Sequence, residues 1–324
     1  MIALRAELSW VVLAANLVII WNATRPSDVV RQMPLAYRGE TKVLDEASRA
    51  YASGSFIRLS KGLTHYKLSG PEGGEVVVLI HGIAGPMGIW SNVAVCLSDF
   101  GFRVLQYDLY GRGYSDRPAE RYDIDLFAEQ FRELVVELKL ETPMSLIGWS
   151  LGGMISGVYA ARFPGEVNRL VFIAPAGLDV TLPTTARIGM VPVLGELLIS
   201  IWGRGIVLKS LTRGLHRREL AGEYIALVSE QMQHRGYLRA FLSTLRHCAY
   251  RDSTKEYQAV GALGICVLLI SGSEDTTIPL SARNKIVGLI PDLEHREIEG
   301  AGHIPMLEAP GAVRTLLLDF IYPK

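Results

Sequence analysis

Buried-strand patterns alternate with helical patterns along most of this 324-residue chain. Runs of apolar, often β-branched residues predict strands that are covered on both faces. These runs are residues 76–82, 102–111, 144–150, 169–177, 265–275 and 295–300. Apolar residues at helical spacing occupy residues 123–140, 151–164 and 307–322. The alternation predicts an α/β fold with a mostly parallel, doubly wound sheet and helices on both faces. Before it, alternating polar and apolar residues over 57–70 predict an antiparallel hairpin.

The pattern changes over residues 178–258, which hold no convincing buried strand and several helix-like segments rich in Leu, Arg and Gly. We therefore predict a core made of residues 25–177 and 259–324. A helical cap, or lid, of residues 178–258 is inserted into it. Ligands of open parallel sheets bind at the carboxyl ends of the strands. The cap is expected to roof that site.

Composition narrows the classes of partner. Apolar residues make up 49% of the chain, which is enough to cover a sheet on both faces. Lys+Arg and Asp+Glu are equal at 33 each, so net charge gives no indication of a nucleic-acid partner. The three cysteines, Cys96, Cys248 and Cys266, are odd in number and widely spaced. We predict that they are small core residues and form neither a disulfide framework nor a metal site.

Residues 1–24 stand apart because residues 8–21 are nearly all apolar. This run is shorter than the roughly 20 residues that cross a bilayer. Three interpretations stay open: a short membrane anchor, a cleaved signal peptide, or a helix packed on the protein itself or on a second subunit of a homo-oligomer. The flanking tryptophans suit a membrane interface and a hydrophobic contact equally. The expected location is therefore membrane-associated, or else secreted or periplasmic.

The sequence GWSLG, residues 148–152, has the pattern G-x-S-x-G between a predicted strand and a predicted helix. That context is the one in which a sharp turn lifts a serine to the top of the sheet. Gly148 and Gly152 leave room for the turn. Ser150 then stands at a helix N-terminus, which favours negative charge. We predict that Ser150 is a nucleophile.

A serine nucleophile needs a base and a group that orients the base. Of the seven histidines, His303 alone follows a terminal strand in a small-residue loop, GAGHIP at 300–305. Asp275 is the predicted acid partner, and the adjacent Glu274 is its rival. Adjacent residues at a strand end point in opposite directions, so only one of them faces His303 easily.

An oxyanion hole would complete the site. One backbone N–H is expected from Leu151, the residue after the nucleophile, and the second from Ile83 in the loop after the strand ending in His81-Gly82. Two such donors stabilise the negative oxygen of a tetrahedral intermediate. We interpret His81 as a structural residue beside this loop.

Taken in this order, the motifs resemble those of α/β-hydrolase fold serine hydrolases. The resemblance runs from about residue 57 to the C-terminus and rests on five stretches. They are HG at 81–82, YDLYGRGYSDRP at 107–118, GWSLGG at 148–153, GSED at 272–275 and GAGHIP at 300–305. The resemblance implies that fold, a Ser150-His303-Asp275 triad, and no metal or organic cofactor. It also implies that Asp108 holds the 107–118 loop through hydrogen bonds to backbone N–H groups.

Fold does not fix substrate, and two branches of the family stay close. Residues 158–179 and the apolar N-terminal segment are similar to membrane-anchored monoacylglycerol-lipase-like esterases. The elbow and cap also resemble C–C bond hydrolases that cleave ring-fission products, although HGIAGPMG matches their oxyanion loop only in part. A non-catalytic binding protein on the same fold is the third alternative. The leading prediction is a carboxylic ester hydrolase of lipid metabolism that acts on a small-molecule ester or acylglycerol.

Two cap segments suggest contact with lipid. Residues 203–220 interleave five cations with apolar residues, and residues 191–202 are strongly apolar. A basic, apolar segment can lie against an anionic membrane. Solvated helix faces and core packing of the cap are the alternatives.

Overall fold

The computed structural model describes residues 37–179 and 184–322. Residues 8–21, and residues 180–183 of the predicted cap, lie outside these ranges. Within them the chain forms one eight-stranded sheet with the order β1-β2-β4-β3-β5-β6-β7-β8. Its strands are β1 (Ser55–Leu59), β2 (Gly62–Ser69), β3 (Val76–Ile80), β4 (Arg103–Tyr107), β5 (Met144–Trp149), β6 (Val167–Ile173), β7 (Cys266–Gly272) and β8 (Glu294–Ile298).

The sheet is parallel from β4 to β8, with an antiparallel hairpin of β1 and β2 at one edge. β3 and β5 are buried along their whole length because every side chain is apolar or small. They pair in the register Val78↔Leu146. β4, the strand that follows β3 in the sequence, lies on one side of β3, and β5 lies on its other side. The strand order therefore reverses beside β3, and such a switch point opens a crevice at the carboxyl ends of the strands.

Helices cover the sheet and form the cap. They are α1 (Glu46–Arg49), α2 (Ser91–Asp99), α3 (Ile124–Glu137), α4 (Leu151–Arg162), α5 (Thr184–Met190), α6 (Leu194–Arg213), α7 (Ala221–Ser229), α8 (Tyr237–Thr244), α9 (Thr254–Gly261), α10 (Leu280–Leu289), α11 (Pro305–Glu308) and α12 (Pro310–Ile321). The Asp123 carboxylate caps α3 by accepting from Leu126 N–H at 3.1 Å. None of the helices in the described ranges is long and apolar enough to cross a membrane.

The described residues between β6 and β7 form helices and no strand of the sheet, in the region predicted to be the cap. The predicted boundary at residue 258 falls inside α9. Tyr257 of this helix donates to Ala176 O at 2.6 Å and packs its ring on Phe172, with centroids 5.3 Å apart. α9 thus packs on the core.

The prediction that all three cysteines are core residues is wrong. Cys248 is buried, but Cys96 is half-buried and Cys266 is exposed. Cys266 is the first residue of β7, and burial along that strand begins only at the next residue. An apolar run shows that a strand is buried without showing where its burial begins.

Candidate active site

Ser150 lies at the sharp turn between β5 and α4. Its backbone has φ 54° and ψ −115°, a strained conformation for a residue with a side chain. A Cβ on Gly148 would lie 2.3 Å from Gly152 O, and one on Gly152 would lie 2.1 Å from Ile80 O. The two glycines are therefore required because the backbone of the turn packs directly against them and against β3.

The structure brings the three predicted side chains into one hydrogen-bonded chain. His303 Nε2 is 3.1 Å from Ser150 Oγ, and His303 Nδ1 is 3.0 Å from Asp275 Oδ2. An ionised carboxylate only accepts, so Nδ1–H donates to Asp275. In the neutral imidazole Nε2 then accepts from the Ser150 hydroxyl. Ser150 and His303 are each 8% exposed, so the cap and loops cover them.

The structure distinguishes Asp275 from the adjacent Glu274 as the partner of His303. Asp275 Oδ1 accepts from the backbone N–H groups of Thr277 at 2.7 Å and Ile278 at 3.0 Å. Burial by itself raises the pKa of Asp275. The charge and hydrogen bond of His303 and the two backbone donors outweigh it, so the pKa lies below the ordinary value. Glu274 points outward, with His216 Nδ1 4.0 Å from its carboxylate. Only Asp275 faces His303.

Residues that the sequence analysis did not single out hold the histidine loop. His303 N–H donates to Gly214 O at 2.7 Å, and Trp149 Nε1 donates to His303 O at 2.8 Å. The buried Glu308 carboxylate accepts from Gly302 N–H and from His216 N–H of the cap. Its only sequence signal is a single acid in the apolar stretch PMLEAP.

The two predicted oxyanion donors belong to segments that lie next to Ser150. Leu151 is the first residue of α4. A Cβ on Gly82 would lie 3.3 Å from Ser150 Cβ, so the loop that carries Ile83 runs beside the nucleophile. Arg112 Nε donates to Ile83 O. This hydrogen bond holds the loop that carries Ile83 through its backbone carbonyl.

Cap residues also contact the loop that carries Ile83 and Ala84, which we call the oxyanion loop. Gln231 Nε2 donates to Ala84 O at 2.8 Å, and Tyr237 Oη donates to the same oxygen at 3.1 Å. The cap therefore contributes to the shape of the site in addition to covering it.

His81 is a buried structural residue. Its Nδ1 donates to Gly82 O at 2.7 Å, and its Nε2 accepts from Leu109 N–H at 2.9 Å. Burial lowers the pKa of His81 to about 4, so the ring is neutral at ordinary pH. Both nitrogens are engaged and neither is available to a substrate.

Asp108 holds its loop as expected. Its carboxylate accepts from the backbone N–H groups of Met87 at 2.8 Å and Tyr114 at 3.0 Å. His65 Nδ1 adds a third contact at 2.7 Å. Burial by itself raises the pKa of Asp108. The hydrogen bond and charge of His65 lower it by more, so the net pKa is below the ordinary value.

A cavity of about 340 Å³ lies behind the oxyanion loop, between β2, α2 and the cap. Met87, Tyr114, Leu227 and His234 line part of it, and neither Ser150 nor His303 does. Part of its lining comes from the segments around Met87 and Tyr114, whose backbone N–H groups donate to Asp108. In the described part of the chain, no group of three or more His, Cys, Asp or Glu side chains is arranged to hold a metal ion.

The strand order, the elbow and the insertion after β6 are those of the α/β-hydrolase fold. Residues 75–198 match the family model for that fold. A monoacylglycerol lipase of Homo sapiens is 22% identical over 266 residues, covering 76% of this chain and 74% of the relative. A 2-hydroxymuconate semialdehyde hydrolase of a Pseudomonas species is 27% identical over 259 residues, covering 76% and 87%.

A solved structure supports the same assignment. The meta-cleavage product hydrolase of Pseudomonas fluorescens is 25% identical, with a TM-score of 0.67, and the match covers 82% of this chain and 97% of that one. The names of these proteins differ in the substrate that they give, so the similarity supports the fold and leaves the substrate open.

Proposed function

We propose that this protein is a serine hydrolase that cleaves carboxylic esters with an apolar acyl group, of which monoacylglycerols are one kind. The observation that carries the proposal is the chain of hydrogen bonds from Asp275 through His303 to Ser150. A positioned base and an orienting carboxylate are what a serine hydroxyl needs to become a nucleophile.

The geometry accounts for each step of such a reaction. Ser150 Oγ attacks the ester carbonyl while His303 Nε2 takes its proton. The imidazolium that forms is stabilised by Asp275, and the N–H groups of Ile83 and Leu151 receive the negative oxygen. His303 then protonates the leaving alcohol, which leaves an acyl group on Ser150. Water, activated by His303, releases the acid and restores the serine.

The surroundings of the oxyanion loop favour an uncharged substrate over a dienoate acid. Arg112 is the buried cation that contacts this loop. Its N–H groups are directed at Ile83 O, at Tyr110 O and at Thr244 Oγ1. Arg112 is also fully buried, so it is not exposed to bind a substrate carboxylate.

Turnover of p-nitrophenyl esters of increasing acyl length, and of monoacylglycerols, tests the proposal with wild type and Ser150→Ala. We expect turnover by wild type, greatest on medium or long chains, and its loss in Ser150→Ala. A wild-type protein that labels with a fluorophosphonate but hydrolyses no ester would contradict the ester proposal and leave C–C bond hydrolysis or a binding protein as the alternatives.

Hydrolysis of a C–C bond in a ring-fission product is the second candidate. Its support is the similarity to the 2-hydroxymuconate semialdehyde and meta-cleavage product hydrolases. Loss of absorbance of a coloured ring-fission product, measured beside the esters, distinguishes the two. The ester proposal predicts that the ester is hydrolysed far faster.

A further inference from the structure

The cap helix α6 has an apolar side that faces solvent. Leu194, Leu197, Ile201, Trp202 and Ile206 are between 43% and 57% exposed, and Trp202 is the most exposed of them. Positions 194, 197 and 201 recur at helical spacing, and positions 202 and 206 lie one turn apart beside them. At about 1.5 Å per residue the stripe is about 18 Å long. We call it the α6 face.

Exposed apolar groups extend beyond the helix. Ile188, Val191 and Val193, in the segment that leads into α6, are also 43% to 49% exposed. Exposed apolar side chains that form one contiguous patch commonly mark an interaction site. The apolar residues α6 does bury, such as Ile199 and Val207, pack in the core, so α6 is apolar on both sides.

Cations outnumber acids in the part of the sequence that forms and follows α6. Six cations lie within residues 187–219, namely Arg187, Arg204, Lys209, Arg213, Arg217 and Arg218. Of the two acids in that range, Glu196 is buried and paired with Arg246, and Glu219 is exposed and paired with Arg217. An apolar face bordered by cations matches the interface of a bilayer that contains anionic lipids, where Trp is also favoured.

The first described residues of the chain contact α6. Arg38 N–H donates to Ser200 O of that helix at 2.7 Å. This hydrogen bond holds α6 to the segment that leads into the sheet.

The same helix leads to the catalytic histidine. α6 ends at Arg213, and the next residue, Gly214, accepts from His303 N–H at 2.7 Å. The rise of a helix places the end of the α6 face only about 12 Å along the axis from this contact. A surface that contacts the α6 face is therefore close to the site.

We propose that the α6 face docks on a lipid bilayer that contains anionic headgroups, and that the ester substrate reaches Ser150 from that bilayer. The second half rests on the proposed ester hydrolase function. The apolar side chains insert among the acyl chains, and the surrounding cations contact the headgroups.

The test uses the full chain and two substrates: a soluble p-nitrophenyl butyrate, and a monoacylglycerol carried in vesicles of phosphatidylcholine and phosphatidylglycerol. The variant is Leu197→Glu with Ile201→Glu. The control is Val136→Glu, because Val136 is 54% exposed on α3, on the core. We expect the double variant to lose about tenfold or more in vesicle affinity and in turnover of the vesicle-borne ester, with soluble turnover within about twofold of wild type. The control should match wild type in vesicle affinity, in turnover of the vesicle-borne ester and in turnover of the soluble ester.

A double variant that binds vesicles and hydrolyses the vesicle-borne ester like the control would overturn the proposal, since residues 1–36 would then suffice. A wild-type dimer that is lost in the double variant, with vesicle binding unchanged, would also overturn the proposal, because a second copy would then be the occupant.

If the double variant misfolds, Lys209→Gln with Arg213→Gln replaces it. Vesicle binding by this second variant should no longer depend on the phosphatidylglycerol content. If that dependence is retained, the charge argument is refuted. Absence of all ester turnover by wild type would defeat the proposed function, and the vesicle binding would still report on the α6 face.

Discussion

Replacing Asp275 by Asn changes one atom of the candidate active site, and the structure determines which way the new amide turns. Asp275 Oδ1 accepts from Thr277 N–H and Ile278 N–H. An Asn at 275 must keep its oxygen there, because an NH₂ group facing two N–H donors would leave all of them unpaired. Its NH₂ group then faces His303 Nδ1, where Asp275 Oδ2 now lies at 3.0 Å.

That arrangement gives His303 the wrong tautomer. Nδ1 has to accept from the amide, so the proton of the neutral ring moves to Nε2, which can no longer take the proton of Ser150. Loss of the orienting carboxylate in serine triads lowers kcat by about 10⁴-fold. This corresponds to about 5 kcal/mol of transition-state stabilisation. We expect kcat of Asp275→Asn to fall by about 10³- to 10⁴-fold, with KM nearly unchanged.

The assay is steady-state hydrolysis of a p-nitrophenyl ester, with thermal unfolding to confirm that the variant is folded. Glu274→Gln is the matched control, because that neighbouring carboxylate points away from His303. We expect its kcat to stay within about twofold of wild type. Retention of more than about a tenth of the activity by Asp275→Asn, or an equal loss in Glu274→Gln, would refute the argument.

Three further outcomes follow from local geometry. Gly152→Ala places a Cβ 2.1 Å from Ile80 O, so denaturant unfolding should show a loss of about 3 kcal/mol or more. Gly165→Ala, which has open space around it, should change stability by about 0.5 kcal/mol at most. His81 has a folded pKa of about 4 against an ordinary 6.5, so only the unfolded state gains its proton as pH falls through this window. The free energy of unfolding should fall there by up to about 1.4 kcal/mol per pH unit through this group, and His81→Asn should remove that part of the slope. Deletion of residues 1–24 should preserve turnover of soluble esters and reduce recovery in the membrane fraction. Undiminished recovery would contradict an anchoring role for the segment.

The sheet and the candidate triad could be predicted because local sequence determines both. The elbow needs glycine at 148 and 152 for reasons of space that any chain with this turn must meet. β5 and α4 have apolar patterns that match their burial. Since the carboxyl ends of parallel strands meet at one edge, the loops after them converge there. The choice between Glu274 and Asp275 needed coordinates, because sequence shows only that the two diverge.

What the sequence left open depends on contacts between distant segments. The sequence did not separate α9 from the cap helices, because its packing on Phe172 is a contact between distant segments that only the structure shows. Apolar residues lie on both the buried and the exposed sides of α6, so only the structure distinguishes Ile199 from Ile201. The role of Glu308 arises from backbone donors about 90 residues away.

The most direct test of the account is mass spectrometry of the intact protein, quenched during turnover of a slowly hydrolysed ester. A covalent acyl intermediate on Ser150 predicts a mass increase equal to the acyl group. The increase should map to the peptide that contains Ser150 and be absent in Ser150→Ala. Ester turnover without such an adduct, retained in Ser150→Ala, would contradict a mechanism through this serine.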